Sequence, residues 1–181
     1  MDFRCVNPAG YRLHDLDLFN DGVMALEIER KFLVLDDSYK REAFSFYHIQ
    51  QGYICRGHGK TVRVRIRDKQ AFITIKGPSP DGGLSRYEFE QEISLADAQQ
   101  LMNLCEPGII DKTRWLVKSD EHVFEVDEFH GDNAGLVVAE VELSCAEESF
   151  KKPHFIGEEV TGDRRYYNAQ LCQNPYGGWA R

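Results

Sequence analysis

Full charges recur at alternate positions in stretch after stretch of this sequence. Glu27, Glu29 and Lys31 alternate in LEIERKFLV, Arg63 and Arg65 in TVRVRIRD, Glu88 and Glu90 in SRYEFEQEI, and Lys112 and Arg114 in DKTRW. Glu125 and Asp127 do so in HVFEVDEF, and Glu140 and Glu142 in LVVAEVELS, while Lys76 closes AFITIK on the side of Phe72 and Thr74. Successive side chains of an extended chain point to opposite faces, so each set shares a face and apolar residues such as Ile28, Phe32, Val62, Val64 and Ile66 take the other. A single strand of this kind is a surface element with solvated charges. Repeated across many strands, with both signs and little of the Ser, Thr, Asn and Gln of an ordinary polar face, the pattern suggests one enclosed charged wall. Burying so many ions is costly unless they are paired, hydrated or complemented by a ligand.

That wall suits a particular ligand chemistry. Clustered Lys and Arg match phosphate oxygens, and Arg does so with two parallel N–H bonds. Two E-x-E pairs, each with both carboxylates on one strand face, match a hard divalent cation such as Mg²⁺ or Mn²⁺. Together they point to a small polyanion carrying several phosphates and a metal, with a carboxylate-oriented or metal-bound water attacking one phosphorus. No Gly-rich phosphate loop of the Walker type occurs. The six histidines (His14, His48, His58, His122, His130, His154) form no metal-ligand spacing, and no Ser-His-Asp or Cys-His arrangement emerges.

The elements that must position these residues fit one domain, since 181 residues, 42% hydrophobic and 29% charged, bury a single core. No apolar run approaches the roughly 18 residues of a membrane helix, and the acidic opening does not read as a secretory signal, so a cytoplasmic protein without membrane partners is expected. The five cysteines (Cys5, Cys55, Cys105, Cys145, Cys172) contain no C-x-x-C pair and are expected to be thiols. A net charge of −8 argues against a nucleic-acid surface, although 22 Lys and Arg can still converge on one site. Oligomeric state is left open.

Strands are predicted over 26–34, 46–55, 61–68, 71–76, 85–93, 109–118, 122–129 and 136–144. Short helices are expected to about Phe44, over 95–105 after a Ser94/Asp97 cap, near 146–151, and from a Thr161 cap toward Cys172. Alternating strands with short turns predict an α+β chain built on a closed or nearly closed antiparallel barrel. Residues 1–23 are set aside as an extension without a role, and 176–181 as a tail.

In order along the chain, EIERKFLV, QGYI, VRVRI, FITIKG, GLSRYEFE, DKTRW, FEVDEFHG, AEVEL and FIGEEVTGDRRYYNAQL resemble the CYTH-domain, triphosphate tunnel metalloenzyme family, in its short bacterial inorganic triphosphatase form. The resemblance implies a CYTH domain over 24–175, an eight-stranded antiparallel β-barrel whose charged lumen binds a metal–triphosphate, and hydrolysis to pyrophosphate and phosphate. Glu27, Glu29, Glu140 and Glu142 would face Mg²⁺ or Mn²⁺. Lys31, Arg63, Arg65, Lys76, Lys112 and Arg114 would hold phosphates, joined by Arg165. Glu29, Lys31, Glu140 and Tyr53 would act at the reacting centre, with Tyr53 as mere aromatic packing the plain alternative. Glu88, Glu90 and Asp127 would organise water, metal or basic side chains, while Arg67 and Arg86 are expected to face solvent or pair with acids. Alternatives within the fold are thiamine triphosphatase, nucleoside triphosphatase and adenylate cyclase, and outside it a non-catalytic polyphosphate-binding module.

Overall fold

The computed structural model describes residues 28–57, 59–77 and 88–179. One antiparallel sheet contains β1 (Ile28–Val34), β2 (Ser45–Gly57), β3 (Lys60–Arg67), β4 (Gln70–Lys76), β5 (Glu88–Ile93), β6 (Ile110–Ser119), β7 (His122–Phe129), β8 (Val137–Leu143) and β9 (Ile156–Glu159). Its order is β5-β4-β3-β2-β6-β7-β8-β1-β9. Among the described residues three short helices accompany it: α1 (Tyr39–Glu42), α2 (Leu95–Met102) and α3 (Asn168–Leu171).

The expected closed barrel of eight strands is corrected by this topology. The sheet has nine strands among the described residues, and its edge strands β5 and β9 are not bonded to each other. The extra strand comes from IGEE, and it meets β1 through an irregular register, Phe32 opposite Glu159 and Val34 opposite Ile156. So short and irregular an edge offers no continuous ladder on which β5, exposed along nearly its whole length, could close.

The two faces differ as the alternation predicts. On the convex face, Phe32, Val117, Phe124, Val126, Ala139 and Val141 form one cluster with Tyr39 of α1 and Phe155. Val64 and Ala71 form another with Ala98, Leu101 and Met102 of α2. That helix starts as expected: the Ser94 hydroxyl accepts the Asp97 N–H at 3.0 Å and donates to the Asp97 carboxylate at 2.6 Å. The opposite face carries the charges. Lys31, Lys112, Asp127, Gln51 and Thr74 are all buried there, although among the described residues no element other than the C-terminal segment packs over that side. Such burial requires the sheet to curl around its charged face, which is therefore the concave one.

The C-terminal segment departs from the single helix expected after Thr161. The Thr161 hydroxyl instead accepts the Lys31 N–H at 2.9 Å, a 3-10 turn spans Arg164–Tyr166, and Tyr167 lies extended before α3. Leu171 and Cys172, with Tyr166, Tyr176 and Trp179, pack against Tyr53, Ile110, Phe129 and Val138 and floor one end of the concave face. Tyr176 and Trp179 fall in the stretch expected to be a tail. No helix forms over 146–151, where a turn closes with the Glu148 N–H on the Cys145 carbonyl at 3.1 Å. Cys55, Cys105 and Cys172 are free thiols, whereas Cys145 is disulfide-bonded, against the expectation of thiols throughout.

Candidate active site

Register brings the charges together. Lys31 stands opposite Glu140 and Glu29 opposite Glu142 across β1–β8, Glu125 opposite Glu140 across β7–β8, and Arg114 opposite Asp127 across β6–β7. On the other side of the face, Arg63 stands opposite Thr74, and Thr74 and Lys76 opposite Glu90 and Glu88.

Two networks result. In the first, the Lys31 ammonium bonds Glu140 and reaches Glu29 at 3.1 Å. Arg114 grips Asp127 with Nε and Nη2, both at 2.6 Å, bonds Glu125 through Nη1, and lies 3.3 Å from Glu140. Lys112 completes it, donating to Asp127 at 2.5 Å. In the second, Glu90 accepts from Arg65 at 3.0 Å, from Arg63 at 3.3 Å and from the Thr74 hydroxyl at 2.7 Å, and Lys76 pairs with Glu88 at 2.7 Å.

Charge states follow from these contacts. Burial works against the Lys31 ammonium, but Glu140 and Glu29 outweigh it and raise its pKa. Burial also opposes ionisation of Asp127 and Glu140, yet Arg114 and Lys112 hold the first, and Lys31 and Arg114 the second, below the usual carboxylate range. Lys112 is pushed down by burial despite Asp127. Arg65 is pushed down by burial and by Arg63, a sign that this wall holds more positive charge than Glu90 balances.

The carboxylate pair Glu29/Glu142 bears on metal binding. Like charges directly opposite on adjacent strands are destabilising without a cation between them. Arg114 serves Glu125/Glu140 in that way by bonding both, and Lys31 reaches Glu29 of the other pair. Glu29 and Glu142 are exposed, and carboxylate oxygens are the donors that Mg²⁺ and Mn²⁺ take, with water or substrate completing the shell. The pair fits such an ion. Among the described residues, no group of three or more His, Cys, Asp or Glu converges as a complete site. Glu27 lies outside the described residues, as does Arg86, and the Glu140 carboxylate is engaged by Lys31 and Arg114.

Other expected site residues sit differently. Tyr53 is buried in the apolar floor, accepts from Gln51 at 3.3 Å, and has its pKa pushed up to about 12 by burial, so its hydroxyl is neutral. Arg165 is exposed, bound to Asp163 at 2.6 Å and set against Tyr166 and Trp179, none of them a residue of the charged networks. Arg67, expected to face solvent or pair with acids, is partly exposed, meets no acid among the described residues, and lies over Tyr47 and Phe72. Two residues went unassigned in the sequence. Thr74 shares the side of Phe72 and Lys76, which was the available signal. Tyr167 lies under the Lys31 ammonium at 5.7 Å, and no sequence signal marks it within a stretch that reads as helix.

Known proteins resemble this chain in sequence and fold. The CYTH domain family matches residues 25–167. An inorganic triphosphatase of Acetivibrio thermocellus is 46% identical over 154 residues, 84% of this chain and 97% of that protein. One of Nitrosomonas europaea is 36% identical over 150 residues, 81% of this chain and 96% of that protein. A crystal structure of an inorganic triphosphatase superposes with a TM-score of 0.62 at 30% identity, covering 83% of this chain and 97% of that one. The family model spans most of the chain and the two relatives match it over most of its length, so the chain belongs to the CYTH domain family.

Proposed function

We propose that this protein hydrolyses inorganic triphosphate to pyrophosphate and phosphate on its concave charged face, using Mg²⁺ or Mn²⁺. The observation that carries this reading is a pair of buried donors: Arg63 Nε and Arg65 Nε have no hydrogen-bond partner. Each unsatisfied buried donor costs about 1–3 kcal/mol, and phosphate oxygens would satisfy both. The relatives named as inorganic triphosphatases support the choice of substrate.

In this reading Arg63, Arg65, Lys76, Lys112 and Arg114 hold the phosphate chain, with Glu88, Glu90 and Asp127 fixing their orientation. Glu29 and Glu142, with Glu27, hold the divalent ion. Bound there, such an ion would supply charge neutralisation to the phosphates and acidify a water. Lys31, kept charged by Glu140 and Glu29, faces the phosphoryl oxygens. Glu140, kept ionised, orients the attacking water by accepting its hydrogen bond. Water adds to one terminal phosphorus, the bridging P–O bond breaks, pyrophosphate leaves with that oxygen, and the proton passes to solvent. Arg165 is assigned no contact, and Tyr53 a supporting one from the floor.

The substrate is a small anion, and neither nucleic acid nor a membrane is part of the proposal. No helix among the described residues is long and apolar enough to cross a membrane. The proposed setting is the cytoplasm. The test is phosphate release from triphosphate, ATP, thiamine triphosphate and pyrophosphate, each with Mg²⁺, Mn²⁺ or a chelator. Metal-dependent release from triphosphate is expected to dominate. Preference for a nucleotide would move the activity elsewhere in the family, and no release from any compound, with triphosphate still bound, would leave a binding module.

A further inference from the structure

Among the described residues, one cation of the concave face, Arg67, meets no carboxylate. Lys31, Arg63, Arg65, Lys76, Lys112 and Arg114 each meet a carboxylate. Arg67 shares their face, being the partner of Ile49 on β2, which is itself the partner of Lys112 on β6. Among the described residues it pairs with no acid. Its guanidinium lies over Tyr47 at 5.3 Å and over Phe72 at 5.2 Å, and Nη2 donates to Gln70 at 2.8 Å. Aromatic contact of this kind fixes the plane of the guanidinium while leaving most of its five N–H groups on the open edge.

That edge borders a cavity of about 670 Å³ lined by Arg67, Tyr47, Lys69 and Gln70, with Ser45, Phe46 and Asp68. Asp68 is the one carboxylate in the lining, and it accepts the His48 N–H at 3.0 Å. Burial raises the Tyr47 pKa, so its hydroxyl is a neutral donor. Arg67 follows Arg65 by two residues on β3, roughly 7 Å along the strand, so the cavity continues the line of the phosphate-holding wall. Burial foremost, then Arg63, Arg114 and Arg67 against the pull of Glu90, lower the Arg65 pKa, so Arg67 adds to the positive charge around that wall.

We propose that Arg67, with Tyr47 and Lys69, forms an outer anion subsite that takes the phosphate beyond the third in linear oligophosphates such as tetraphosphate. This rests on the triphosphatase reading for the position of the first three phosphates. The subsite makes chain length a property read at the β3–β4 end of the face.

The test compares triphosphate with tetraphosphate, by calorimetric binding to metal-free protein and by kcat/KM with Mn²⁺. The wild type is expected to bind tetraphosphate about tenfold more tightly than triphosphate, and Arg67→Gln to bring that ratio close to unity. Arg67→Lys, which keeps the charge but loses the planar fork, should fall between them. A ratio unaffected by both substitutions overturns the subsite. So does a loss shared equally by the two ligands, which marks Arg67 as a packing group. Failure of hydrolysis with the binding ratio intact rejects the triphosphatase reading and keeps the anion subsite. Hydrolysis intact with equal binding of the two ligands rejects the subsite alone.

Discussion

Glu29 of β1 and Glu142 of β8 face each other directly across an antiparallel pair. Two carboxylates in that relation repel, and a divalent cation converts the repulsion into shared coordination. Glu29→Gln is expected to lower turnover by roughly 100-fold or more while triphosphate binding survives, because the basic wall is untouched. Initial rates across a Mn²⁺ titration, with calorimetric binding alongside, check this. Turnover kept within a few-fold would remove Glu29 from the metal site.

Lys112 and Asp127 are both buried and bonded to each other at 2.5 Å. Removing one member of a buried ion pair leaves the other uncompensated, at about 3–5 kcal/mol. Arg114 also holds Asp127, so Lys112→Ala is expected near 3 kcal/mol in urea unfolding, together with a higher KM for triphosphate. The Lys112→Ala/Asp127→Ala double variant should lose less stability than the two single losses added together.

Acid should unfold the protein through the same cluster. Asp127 and Glu140 have folded-state pKa values below their ordinary range. Their stabilisation is therefore complete above the unfolded carboxylate range, about 4, and is lost as pH falls from there through the folded values. Asp127→Asn is expected to flatten the acid limb of a stability-against-pH curve measured by urea titration between pH 7 and 2. An unchanged limb would place the acid-sensitive group elsewhere.

Thr74 is fully buried and joins the second network by donating to Glu90 and accepting from Arg63 at 3.1 Å. Thr74→Val leaves Glu90 without that donor and Arg63 without that acceptor. We expect KM for triphosphate to rise about 5- to 10-fold with kcat little changed, and Thr74→Ser to restore it. A fall in kcat alone would contradict a positioning role.

Tyr53→Phe separates chemistry from packing. With its pKa near 12 and a single long bond to Gln51, the hydroxyl is neutral at working pH. Turnover within about threefold of wild type, and an unshifted pH–rate profile, are expected. A change of 100-fold would return Tyr53 to the reacting centre.

Period-two alternation made most of the site legible, since it depends only on the geometry of an extended chain. It placed Lys31, Glu140, Arg114 and Asp127 on one face before their partners were known. It could not supply register, so it did not show that Glu140 would be claimed by Lys31 and Arg114. Nor could it show that Arg67 would have aromatic rings in place of an acid. Strand closure was not legible either, because it turns on the short edge strand β9, whose IGEE sequence has no alternation to announce it. Around Tyr166 and Tyr167, helical spacing misled: Tyr167 is held extended, and only Asn168–Leu171 wind into a helix.

The pairing of β1 with β8 has a consequence in time. Lys31 and Glu140 are 109 residues apart, and Lys31 and Thr161 are 130 apart. Contacts of such long range form late, after the entropy of closing the intervening loop has been met. During synthesis β1 emerges early and must wait, Glu29 and Lys31 without their β8 partners, until nearly the whole domain has left the ribosome. The hairpins β2–β3–β4 and β6–β7 can assemble meanwhile, holding arginines with no opposing wall. A nascent or truncated chain can therefore gather its basic side chains without the facing carboxylates, and the charged face is completed in a single late step when the first strand docks on the eighth.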